Sequence, residues 1–200
     1  MGLLSTPLGR LAGGCAVTAA GVALLKGGDL SSSTSSTTAG AFASLLCTSV
    51  FVGASVWTTF ASGIVMFKNL PKPVFGDLQA KLFPVYFGLQ TATAAAALAL
   101  TATGRAGGSG ETARPRAVAA GVAVAFSLLN LAVLEPLTTA AMYHRRAAQA
   151  EGSKLSAEEK KKANGRFGML HGLSSLANLF ALCAGVTVLW FSAEGMVAGK

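Results

Sequence analysis

Four stretches of the chain, 30–67, 82–104, 117–134 and 167–193, contain no Asp, Glu, Lys or Arg. Each approaches or exceeds the roughly 18–20 residues that cross a hydrocarbon core about 30 Å thick as a helix. Inside lipid a backbone has to satisfy its own hydrogen bonds, and a helix does so within one segment. A membrane β-barrel needs alternating strands of about ten residues instead, and these apolar runs are continuous. The pattern predicts an all-α fold, an integral membrane four-helix bundle, with spans near Ala41–Phe67, Leu82–Thr103, Ala117–Leu134 and Phe167–Phe191.

The punctuation between the runs agrees with this division. The first span is expected to stop at Lys68-Asn69 and the Pro71-Lys72-Pro73 turn, because proline cannot cheaply continue a helix. A short amphipathic piece, Val74–Lys81, leads into the second span, whose first turn contains Pro84. The Gly-rich stretch Gly104–Gly110 and Arg114-Pro115-Arg116 separate spans two and three. Glu135-Pro136 predicts a break or kink, with helix resuming over Thr138–Ala150. Residues 135–166 read as a charged connection in which Ser156-Ala157-Glu158-Glu159 forms a capping box starting a short charged helix of its own. The organisation is thus a leader over 1–38 and a four-span domain over 39–193. For the leader, three readings stay open: a secretory signal, an organelle transit peptide, or a retained short membrane helix over Leu11–Leu25. A secretory-pathway membrane and an organelle membrane fit equally.

Composition sharpens the picture. Charged residues make up 12% of the chain, about half the roughly 25% of a soluble domain. A net charge of +8 raises the question of nucleic acid, but the cations sit in connections between apolar runs and no basic, aromatic-rich module is present. No nucleic-acid partner is expected. The connections after spans one and three hold Lys68, Lys72, Lys81, Arg145, Arg146, Lys154, Lys160, Lys161, Lys162 and Arg166. Arg10, Lys26, Arg105, Arg114, Arg116 and Lys200 fall on the other side. The positive-inside bias puts the richer end on the cytoplasmic-type side. Cys15, Cys47 and Cys183 are scattered and odd in number, which fits neither a disulfide framework nor a zinc site.

Each span also carries polar residues three and four positions apart, the spacing of one helix face. Ser44, Thr48, Ser55, Thr59 and Ser62 mark the first; Tyr86, Gln90, Thr93 and Thr101 the second; Ser127 and Asn130 the third, with Glu135 beyond; His171, Ser174, Ser175 and Asn178 the fourth. Two readings stand side by side: hydrogen-bonding glue between helices, and an intramembrane polar seam built from Gln90, Asn130, Glu135, His171, Ser175 and Asn178. Ionisable groups at membrane depth mark function, which directs attention to Glu135 and His171. His171, Met142 and Met169 are weak candidates for a soft-metal site, although flexible packing accounts for the methionines equally well. No metal or cofactor is assigned.

Phe51–Phe67 followed by LFPVYF (Leu82–Phe87), LEPLTTAAM (Leu134–Met142) and HGLSSLANL (His171–Leu179) resembles the transmembrane protein 205 family of small four-span membrane proteins. The resemblance covers roughly Phe42 to Trp190 and implies a four-helix membrane domain with its marked residues at the helix ends. The family pattern has Arg where this chain has Leu137, directly after Glu-Pro. The resemblance brings no established reaction. No Ser-His-Asp set, Cys/His nucleophile, phosphate loop or paired-carboxylate site is legible. The expectation is therefore a non-enzymatic structural, interaction or assembly component of the lipid bilayer, with other membrane-protein subunits or a second copy as partners. The alternative is small-solute or soft-metal transport through the seam around His171 and Glu135.

Overall fold

A computed structural model describes residues 38–107 and 110–198. The leader falls outside the described residues except for its last position, and so does Cys15. Four helices account for nearly all of the rest, and no strand occurs among the described residues. They are α1 (Thr38–Asn69), α2 (Lys72–Ala102), α3 (Glu111–Gln149) and α4 (Ala157–Val197). All four are long and apolar enough to cross a membrane, and the protein is a multi-pass membrane protein of all-α architecture. Each helix packs on the next, and α4 returns to α1, closing a ring.

The helices are longer than the charge-free runs because charged residues extend them past the apolar limit. The amphipathic piece 74–81 is not separate: it forms the start of α2, which begins at Lys72. Pro84 consequently lies inside that helix rather than in its first turn. The expected break at Glu135-Pro136 is absent. Helix α3 runs through it by widening into a π-helical segment, Asn130–Leu134, in which the Glu135 N–H donates five residues back to the Asn130 carbonyl. The wider turn accommodates a proline that has no N–H to offer. The connection between α3 and α4 is thereby confined to residues 150–156, where Gly152 takes φ +84°. The short charged helix expected after Ser156 is not separate either, but forms the start of α4.

Helix α1 has a second π-helical segment, Trp57–Ser62. Beyond Val56 this helix fully buries no residue, so its last three turns lie at the periphery of the bundle.

Packing follows the logic of a membrane protein. Trp57, Phe67 and Trp190 are exposed, as lipid-facing side chains are, while the interior is lined by Ala94, Ala97, Ala120, Ala123, Ala181 and Ala184. Small residues let backbones approach closely where lipid supplies no hydrophobic drive between helices. One close approach joins α1 to α4: a Cβ added at Gly185 would lie 2.6 Å from the Phe51 ring. At the basic end α2 meets α3, where Arg146 Nη1 bonds Asp77 Oδ1 at 2.9 Å and Arg146 Nη2 donates to the Pro73 carbonyl at 2.8 Å.

Candidate functional site

Polar residues from α1, α2 and α4 meet in the bundle interior. Gln90 on α2 is fully buried, and its Nε2 lies 2.7 Å from Ser55 Oγ, 2.9 Å from Tyr86 Oη and 3.1 Å from Asn178 Oδ1. The Tyr86 hydroxyl donates to Asn178 Oδ1 at 2.8 Å. Asn178 Nδ2 in turn donates to Thr59 Oγ1 at 2.9 Å. Ser55 donates its own proton to the Phe51 carbonyl one turn back, which leaves its oxygen free to accept from Gln90. The bonds from α2 to α4 cross the diagonal of the ring, tying helices that otherwise touch chiefly through their neighbours.

A second group lies between α3 and α4. The Ser174 hydroxyl donates to Asn130 Oδ1 at 2.7 Å, and Asn130 Nδ2 donates to the Ser174 carbonyl at 3.2 Å. One π-helical segment thus supplies Asn130 and the other supplies Thr59. Both of these distortions face Ser174 or Asn178, one turn apart on α4. A π-turn re-aims the side chains around it relative to a regular helix, and here both re-aimed positions contact polar groups of the same helix. Glu135, at the end of the α3 segment, is 2% exposed and accepts from Thr139 Oγ1 at 2.8 Å.

Of the residues singled out in the sequence, Gln90 and Asn178 join the first group, Asn130 the second, and Glu135 lies five residues beyond Asn130. His171 and Ser175 do not join them: both are exposed. For Ser175 the reason is rotation, since one residue turns a helix by about 100° and Ser174 takes the inward position. For His171 the reason is level. It shares the face of Asn178 but lies two turns, about 10 Å, nearer the basic end, where α1 no longer covers that face. There the His171 ring stacks on Phe167 at 5.6 Å, and the Arg145 guanidinium lies 3.9 Å from the Phe167 centroid. The weak metal candidates divide likewise: Met142 is buried close to Gly76, whereas Met169 and His171 are exposed. Among the described residues no three His, Cys, Asp or Glu side chains converge to hold a metal ion.

A family model for a domain of unknown function, DUF4149, matches residues 46–147. The chain belongs to that family. The matched stretch takes in most of α1, all of α2 and nearly all of α3, and therefore Ser55, Thr59, Tyr86, Gln90, Asn130 and Glu135; their partners on α4 lie beyond it. No solved structure matches the chain.

Sequence spacing identified the polar faces but not which members would bond. Thr139 and the Arg146–Asp77 clasp went unnoticed, because a hydroxyl or an ion pair at a helix end has no distinguishing pattern. The Glu-Pro dipeptide is the one sequence signal for either π-helical segment.

Proposed function

We propose that this protein is a non-enzymatic membrane component, a rigid four-helix unit of the transmembrane protein 205 type that other membrane proteins assemble against. The observation that carries this reading is a hydrogen-bonded tie among interior polar groups, outside which Gln90 Oε1 and the Ser44 and Ser127 hydroxyls are buried without a partner among the described residues. Gln90, Tyr86, Asn178, Ser55 and Thr59 bond among themselves across three helices. A void between Phe51, Ala94, Ala120 and Gly185, one turn from Ser55 on α1, measures about 10 Å³, room for no more than one water molecule. A conduit for solute needs polar groups that face open space. Here Gln90 Nε2, the Tyr86 hydroxyl and Asn178 are placed against each other, which suits a part whose shape is its contribution. The lipid-facing surface, by contrast, presents long apolar helix faces such as that of α1 beyond Val56.

Native mass spectrometry of the full chain, gently extracted from its own membrane, tests the proposal. The expected result is a stable complex with another membrane subunit or a second copy. A lone bundle that conducts a solute in proteoliposomes would overturn it.

A second reading, handling of a small solute or soft metal, is favoured by Glu135, a carboxyl 2% exposed within a membrane helix. It requires that Glu135→Gln abolish solute uptake while leaving insertion and abundance unchanged.

A further inference from the structure

We propose that the outer groove between α3 and α4 holds an acyl chain of an anionic phospholipid, with the Arg114 guanidinium taking the phosphate at its mouth. The groove is broadly open to the outside, has a volume of about 600 Å³ and is walled mainly by Val118, Val122, Phe180 and Cys183. Its floor is Ala119 and Ala184, both nearly fully buried. Two alanines facing one another where neighbouring positions carry larger side chains create the depression. Phe180 forms a fixed wall, because its ring stacks on Phe126 at 5.3 Å.

Position and charge select the occupant. From Pro115 to Val122 the groove follows α3 for about 10 Å, within a helix that spans the membrane, so its walls meet hydrocarbon. At the end toward Gly110 it meets Arg114, which is exposed and lines the groove. Among the described residues no carboxylate lies within ion-pair distance of Arg114 and no hydrogen bond engages it. Arg116, two residues on, is buried and donates to the Gly107 carbonyl. The two arginines therefore differ in kind: one is internal to the fold, and the other is an open cation at the rim of an apolar slot. A guanidinium grips a phosphate through paired N–H donors, and an apolar slot beneath it takes the chain of the same molecule. A net negative headgroup is preferred because a zwitterionic one brings its own cation to Arg114.

The test is native mass spectrometry of the full chain in detergent, titrated with phosphatidylglycerol or with phosphatidylcholine of the same acyl chains. Wild type is expected to retain phosphatidylglycerol more tightly. Arg114→Gln should remove about fivefold in affinity for it, the value of one basic side chain at an anionic surface, and leave phosphatidylcholine nearly unchanged. Lys68→Gln, an equal charge change at the opposite end, should change neither. Cys183→Phe fills the groove from its exposed side and should weaken both lipids, with Thr187→Leu as the second filling variant if the first folds poorly. Equal phosphatidylglycerol retention by Arg114→Gln and Lys68→Gln would overturn the proposal, as would undiminished lipid retention in a folded filling variant. A dimer that a filling variant dissociates would assign the groove to a second copy and overturn it as well.

Discussion

Replacing Asn178 with Leu tests whether the interior polar groups act as a tie. The side chains are similar in size, so the change chiefly removes bonds: those accepted from Tyr86 and Gln90 and the one donated to Thr59. Interhelical bonds in membrane proteins average about 0.6 kcal/mol and reach about 1.7. Three of them place the loss at about 2–5 kcal/mol. The lower half of that range is expected, because Gln90 keeps its contacts with Ser55 and Tyr86. The assay is dodecyl-sulfate unfolding of the full chain in mild detergent, followed by far-ultraviolet circular dichroism and tryptophan fluorescence. Trp57 and Trp190 are both exposed, and the circular dichroism signal serves as the probe independent of either tryptophan. Leu176→Ala, on the lipid-facing side of the same helix, is the control and should change stability by less than about 0.5 kcal/mol. A double-mutant cycle with Tyr86→Phe should return a coupling of about 0.6–1.7 kcal/mol. A neutral or stabilising Asn178→Leu would refute the reasoning, since that is the outcome if these groups lined a hydrated passage from which leucine expelled water.

Three further outcomes follow from the same structure. Gly185→Ala sets a methyl 2.6 Å from the Phe51 ring, and overpacking of this kind costs about 1–3 kcal/mol; dodecyl-sulfate unfolding should show the loss, and adding Phe51→Leu should return part of it. His171→Ala should leave the unfolding midpoint unchanged, because the ring is exposed and stacks only on Phe167; a large loss would mean that this face of α4 is covered in the folded protein. Acidification should fray the start of α4, outside the apolar run, where the Ser156 N–H and hydroxyl both donate to Glu159 Oε2 at 2.8 Å and hold the carboxyl below its ordinary value. A carboxyl lowered in the folded state stabilises above its unfolded pKa, and that contribution is lost as pH falls through the folded one. Amide protection factors at Glu159 and Lys160, whose N–H groups donate to Ser156, should therefore fall in acid for wild type once intrinsic exchange is divided out, and Glu159→Gln should lose that pH dependence.

Much of the architecture is legible in the sequence because its cause is local. A run without charge as long as the bilayer is thick has one economical conformation in lipid, so four helices, their order and the basic end were readable from Lys, Arg, Asp and Glu positions alone. The capping box at Ser156 was readable for the same reason, since its partners lie three residues apart. The helix ends were less so: α2 starts at Lys72 and α3 continues past Pro136 because packing against neighbours sustains helix where local propensity would end it.

The interior was only half legible. Spacing placed Gln90, Asn130 and Asn178 on polar faces, but a face is a direction and a bond needs a partner at the same height. Three-dimensional assembly decided that Asn178 meets Gln90 and Tyr86 while His171, on the same face, looks out past the end of α1's cover. It also decided that Ser174 rather than Ser175 reaches Asn130, and that Arg114 is open whereas Arg116 is enclosed. Periodicity is a property of one helix and survives in the sequence. Relative height, crossing and the two π-helical turns depend on how four helices fit together, so only the tertiary structure contains them.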